Sequence, residues 1–145
     1  MTPEEKARIK IDQWFEDAGW DVVDRDQYTP SSTAVAIREG LLQNNLEADY
    51  FLFINGKAIG ILEAKRKEVN LCDPVVAEQA ENYTRSVPNC YQKIANVLPL
   101  VYLSNGETVL FKNQNKSDSC YDAINRIHTP KEIVRKAGMP WHVPT

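Results

Sequence analysis

Asp49-Tyr50-Phe51-Leu52-Phe53-Ile54-Asn55-Gly56-Lys57-Ala58-Ile59-Gly60-Ile61-Leu62-Glu63-Ala64-Lys65 is the stretch that decides the fold. Two apolar runs meet at Asn55-Gly56, and this dipeptide readily supplies the left-handed residues that a tight hairpin turn requires. Charge is confined to the turn and the outer ends, with Asp49 opening the first strand and Glu63 and Lys65 closing the second. Residues two apart in a strand share a face, so Glu63 and Lys65 project together and Ala64 points away. A carboxylate and an ammonium have no packing role at the end of so apolar a strand. Two carboxylates on adjacent strands can hold a hard divalent cation through oxygen, and a nearby lysine can steady a developing negative charge. The pattern implies metal-assisted phosphodiester chemistry.

The hairpin register decides whether that chemistry is possible. With a two-residue loop, Asp49 faces Leu62 and lies on the opposite face from Glu63, so no shared cation can form. With a three-residue loop, Ile54-Asn55-Gly56, and Gly56 left-handed in a bulge, Asp49 faces Ile61 and shares a face with Glu63 and Lys65. Both turns accept this sequence. The chemistry selects the three-residue loop, which is therefore the expectation.

The chain of 145 residues, 43% hydrophobic, suffices for one domain with a proper core. It has no apolar run approaching the ~18 residues of a membrane span, and its first residues lack the basic-then-apolar order of a signal peptide. Three cysteines, Cys72, Cys90 and Cys120, are widely spaced and odd in number. They suit neither a disulfide framework nor a zinc site, and imply a reducing, cytoplasmic setting. A net charge of −3 argues against an autonomous, tight DNA binder, though not against a nuclease that partners deliver to DNA. No phosphate-binding loop of the G-x-x-x-x-G-K-[ST] type occurs.

Around the hairpin, Thr2-Pro3-Glu4-Glu5 reads as a helix start, and Ala7, Ile11, Trp14, Phe15 and Ala18 recur at helical spacing until Gly19 caps the helix. Asp12 and Glu16 are expected on its solvated side, the alternative being that a first-helix carboxylate serves the site. Trp20 to Val23 reads as a short strand, and Asp24 to Thr33, with Pro30-Ser31-Ser32, as a loop. Ala34 to Glu39 reads as a strand, followed by a flexible segment from Gly40 to Glu47. Asp73-Pro74 starts a helix to about Arg85, with Gln79 and Tyr83 stacked one turn apart. Leu98 to Leu103 and Glu107 to Phe111 flank Asn105-Gly106 as a second hairpin. Thr129-Pro130-Lys131-Glu132 starts a last helix ending near Gly138, and residues 139–145 read as the start of a linker. The expectation is a mixed α/β domain over residues 1–138, its sheet partly antiparallel and covered by helices.

At these residues the chain resembles a known family. Asp49, thirteen residues, then Glu63-Ala64-Lys65 is similar to the PD-(D/E)XK nuclease signature, and Gln79-x-x-x-Tyr83 to the auxiliary motif of its RecB-like branch. Ile11-Asp12, Ala18-Gly19-Trp20, Ala34 to Glu39, Ala48-Asp49-Tyr50 and Gly60 to Lys65 together resemble the N-terminal region of the restriction (R) subunit of type I restriction–modification enzymes. Ala48 replaces the proline of the signature, which only shapes the strand entry.

The resemblance implies a restriction-endonuclease-like fold and a Mg²⁺-dependent endonuclease acting on double-stranded DNA. Asp49 and Glu63 would bind the metal, aided by the Ala64 carbonyl, and Lys65 would act on the attacking water or the transition state. Gln79 and Tyr83 would position Lys65 or the DNA, with Glu39 a possible third acidic contributor set against plain surface exposure. Implied partners are the modification and specificity subunits, with ATP used by translocase domains elsewhere in the subunit. The rival expectation is a non-catalytic docking or DNA-positioning module with the same fold; a stand-alone repair nuclease fits the acidic balance less well. His128 and His142 carry no partner pattern and are expected to be structural or exposed.

Overall fold

A computed structural model describes residues 1–29, 33–116 and 120–138. The expected linker at residues 139–145, His142 and the Pro30-Ser31-Ser32 part of the loop lie outside the described residues. Helix α1 spans Pro3–Asp17, α2 Pro74–Tyr83 and α3 Pro130–Ala137. The strands are β1 (Asp21–Asp24), β2 (Ala34–Leu41), β3 (Glu47–Ile54), β4 (Lys57–Ala64), β5 (Gln92–Lys93), β6 (Leu100–Ser104), β7 (Val109–Asn113) and β8 (Asp122–Ile124). They form one mixed sheet in the order β1-β2-β3-β4-β6-β7-β8, with β5 also paired to β4.

The helix ends follow local chemistry. The Thr2 hydroxyl accepts the Glu5 N–H, the Asp73 carboxylate accepts the Val75 N–H, and Thr129 and Glu132 form a reciprocal capping box. Gly19 follows α1 at φ +99°, and the Trp20 N–H reaches back to the Phe15 carbonyl, closing the helix as expected.

Antiparallel β3–β4 continues into parallel β4–β6, joined by a crossover through α2. A sheet covered on both faces needs apolar residues on both faces of its middle strands, and β4 supplies them. Ile59 and Leu62 pack under α1 and α3 with Phe15, Tyr50, Tyr102 and Ile133. Ala58 and Ile61 pack under α2 with Phe51, Phe53, Ala80 and Leu103. His128 belongs to the first of these layers. Its Nδ1 lies 2.6 Å from the Tyr102 hydroxyl, and burial pushes its pKa down to about 4, so it is a neutral core residue.

The hairpin turn corrects the expectation. Ile54 faces Lys57 and Phe53 faces Ala58, so the loop is Asn55-Gly56 alone. Both turn residues have positive φ, 50° and 80°, the signature of a type I′ turn whose twist matches the strands it joins. One step later the register shifts: Leu52 faces Gly60, leaving Ile59 as an extra residue on β4. This β-bulge supplies the odd residue that the sequence argument had assigned to the loop. Beyond it Tyr50 faces Leu62, and the same register sets Asp49 opposite Glu63.

Other differences concern segments with little local signal. Gly40 to Glu47 is not a loop throughout, since β2 extends to Leu41 and β3 begins at Glu47. The two-residue β5 and three-residue β8 are too short for an alternating pattern to announce them. Among the described residues, no helix is long and apolar enough to cross a membrane.

Candidate active site

The site lies where β3 and β4 meet beside α2. Each acidic side chain accepts a main-chain N–H from the other strand. Asp49 Oδ2 takes the Ala64 N–H at 2.8 Å, and Glu63 Oε1 takes the Asp49 N–H at 3.0 Å. These reciprocal bonds lock both carboxylates where the strand ends would otherwise fray. Glu63 is only 5% exposed. Burial, reinforced by the neighbouring Asp49 carboxylate, pushes its pKa up to about 8.

Lys65 continues the face of Glu63, and its own N–H bonds the Ser104 carbonyl of β6, so the residue is held just past the strand end. Its ammonium lies 3.5 Å from Gln79 Oε1, and Gln79 Nε2 donates to the Tyr83 hydroxyl at 3.2 Å. Tyr83 is buried against the sheet. Its pKa is raised first by that burial and then by the Glu63 carboxylate, with Asp49 adding to the effect. The structure thus brings Asp49, Glu63, Lys65, Gln79 and Tyr83 together.

Glu39 stands apart from that cluster. It sits at φ +51° with its side chain 54% exposed, and it receives the Arg8 guanidinium at 3.1 Å. Asp12 corrects the expectation of a solvated helix face: it pairs with Arg38 at 3.0 Å and accepts the Tyr50 hydroxyl, tying α1 to the sheet. Lys67, at the charged exit from β4, pairs with Glu107 at 3.2 Å.

Arg8 is the residue that the sequence reading missed. From α1 it reaches both Glu39 and Asp49 Oδ1. Its position one turn before Asp12 shows only that the two share a helix side. Contact with Asp49, forty-one positions away, has no local signal.

The donor set suits a hard divalent cation. It is all oxygen, with two fixed carboxylates set face to face, and the raised pKa of Glu63 comes first from burial and then from the neighbouring Asp49 carboxylate. No third His, Cys, Asp or Glu joins them as a cluster among the described residues, so a cation here would draw on main-chain oxygen and water as well.

The Glu63 shift also fixes a pH dependence. In the unfolded chain this carboxyl ionises near its ordinary 4.5, whereas in the fold it keeps its proton up to about 8. Between those values the folded state binds the extra proton, so stability falls as pH rises through the window and levels off above it. Chemical denaturation in metal-free buffer, followed from about pH 5 to about pH 9, should show the midpoint declining across this interval. A Glu63→Gln variant should lose that decline.

The family described as type I restriction enzyme EcoKI endonuclease subunit second domain matches residues 25–144. Two solved structures are similar in fold. One is a fragment of an HsdR subunit of a type I restriction enzyme from Vibrio vulnificus YJ016, with TM-score 0.61 and 19% identity over 94% of this chain and 25% of that one. The other is the type IIG restriction endonuclease BpuSI, with TM-score 0.55 and 20% identity over 92% of this chain and 15% of that one. The chain therefore spans far less than two thirds of either structure's length. No curated protein sequence matches it.

Proposed function

The chain belongs to the family of type I restriction enzyme endonuclease-subunit second domains, and from that premise we propose that it performs the DNA-cleaving step of such an enzyme, with Mg²⁺ as cofactor. The observation that carries this reading is the opposed pair Asp49 and Glu63, fixed by reciprocal main-chain hydrogen bonds, with Lys65 on the adjoining step of the same face. Asp49, Glu63 and the Ala64 carbonyl would hold the metal, which when bound supplies Lewis-acid polarisation of the scissile phosphate and a more acidic water.

The chain's own residues do the positioning. Asp49 and Glu63 are restrained by the backbone itself, so little reorganisation is needed when substrate arrives. Lys65 presents an ammonium that can orient the attacking water or donate to a phosphoryl oxygen as negative charge builds there. Gln79 restrains that ammonium through its side-chain carbonyl, and Tyr83, anchored in the core, restrains Gln79. The substrate of this reading is double-stranded DNA. The modification and specificity subunits would select the site, ATP would be used by translocase domains of the subunit, and the setting would be cytoplasmic.

Lys65→Ala separates catalysis from docking. In the assembled enzyme it should lower double-strand cleavage by about 10²-fold or more, the scale of a lost proton-transfer or charge-stabilising group. ATP hydrolysis and DNA binding should stay near wild type. Unchanged cleavage would mean that the domain only positions DNA.

A further inference from the structure

The β2–β3 ladder pairs Arg38 with Tyr50 and Gly40 with Ala48 and skips Glu39 between them, while on the other side the β3–β4 register sets Asp49 opposite Glu63. Asp49 therefore stands beside one carboxylate, with Glu39 on the neighbouring strand set apart from the pair. Like charges on adjoining strands repel, and the structure relieves this in a specific way. Glu39 adopts a left-handed φ of +51°, which a residue with a side chain rarely does. Arg8 spans Glu39 and Asp49, with Nη1 on Glu39 Oε1 and Nη2 on Asp49 Oδ1.

The rest of Arg8 is arranged for this bridge and little else. Its main-chain carbonyl accepts the Tyr50 hydroxyl at 3.1 Å, which pins the helix over the site. Its Nε is buried and has no hydrogen-bond partner among the described residues, while the guanidinium holds the two carboxylates. A guanidinium and a divalent cation make the same demand on Asp49 Oδ1. Glu39, two-faced between solvent and Arg8, offers the guanidinium an acceptor that does not depend on Asp49.

We propose that Arg8 is the resident counter-cation of the metal-free site, holding Asp49 in place and yielding it to a divalent cation while staying attached to Glu39. The inference rests on the metal-binding reading of Asp49 and Glu63. It makes Arg8 a positioning residue that weakens cation binding to the free domain and couples the seating of α1 to occupancy of the site.

The test is calorimetric titration of Mn²⁺ into the 145-residue chain without DNA, so that no cleavage is measured. Arg8→Gln, and Arg8→Met as a variant that keeps the apolar stem, should each bind Mn²⁺ at least tenfold more tightly than wild type. Lys10→Gln removes a positive charge from the exposed side of the same helix and should change affinity less than twofold, which separates displacement from a general field effect. Glu39→Ala should weaken binding, because Arg8 then loses the side-chain acceptor that holds it when it leaves Asp49. Circular dichroism confirms that each variant is folded. Equal or weaker binding by the Arg8 variants, beside measurable wild-type binding that Asp49→Asn removes, overturns the proposal and leaves the metal site standing. Binding by neither wild type nor the Arg8 variants overturns the metal reading and the proposal together.

Discussion

Glu63→Gln should remove DNA cleavage while making the metal-free domain more stable at alkaline pH. Glutamine has the shape of glutamate, and its side-chain carbonyl can still accept the Asp49 N–H that Glu63 accepts at 3.0 Å. What disappears is the charge. Above about pH 8 the wild-type carboxyl is ionised, buried, and beside another carboxylate, a combination that opposes folding. Glutamine removes the cost of the buried charge and the repulsion from Asp49. In the proposed mechanism the same loss would deprive a divalent cation of half of its charged ligands, and with them the acidification of water and neutralisation of phosphate that the metal would supply. Cleavage of supercoiled DNA by the assembled enzyme should fall by more than about 10²-fold, while the melting temperature at pH 8.5 rises above wild type. Opposite signs in the two measurements cannot come from misfolding. Cleavage within threefold of wild type would end the assignment of Glu63, and with it the nuclease reading of the site.

Gly60→Ala should have the largest effect on stability. Gly60 lies directly after the bulged Ile59 and pairs with Leu100 on β6. A Cβ added there would stand 2.4 Å from the Leu100 carbonyl oxygen and 2.8 Å from its Cβ. The nearer of those atoms is backbone in a parallel ladder, so it cannot turn aside as a side chain could. Strands β4 and β6 must separate, or the bulge must move. Overpacking of this kind costs about 3 kcal/mol, and a shifted bulge would also carry Glu63 out of register with Asp49. Urea denaturation gives the first effect, and cleavage lost beyond the unfolded fraction gives the second. A loss below about 1 kcal/mol would show that the β4–β6 contact yields more easily than its geometry implies.

How much of this was legible beforehand depends on the range of the interaction concerned. The helix starts at Thr2, Asp73 and Thr129 were legible because a cap is made by residues two or three positions apart. The hairpin was legible because Asn55-Gly56 carries its own turn geometry. Gln79 and Tyr83 were legible as a pair because helical spacing stacks them. His128, by contrast, gave no hint of its partner Tyr102, which lies on another element and meets it only in the core.

The hairpin shows where the boundary falls. By itself the sequence determined that one odd residue had to be absorbed between Asp49 and Glu63, because strand side chains alternate and any shared site needs the two on one face. Where that residue goes was decided by the tertiary structure. A three-residue loop and a two-residue loop with a bulge satisfy the same parity, but the first sets Asp49 opposite Ile61 and the second sets it opposite Glu63, and they differ in what β4 meets beyond the turn. With the bulge at Ile59, Ala58 packs under α2, Ile59 packs under α1 and α3, and Gly60 admits the backbone of β6. The place of Arg8 was decided the same way. Its charge was plain, but its acceptors come from β2 and β3, and only the packing of α1 across the sheet brings them within reach. Caps, turns and strand parity are set by neighbours in the chain, whereas the bulge and the counter-cation are set by neighbours in space.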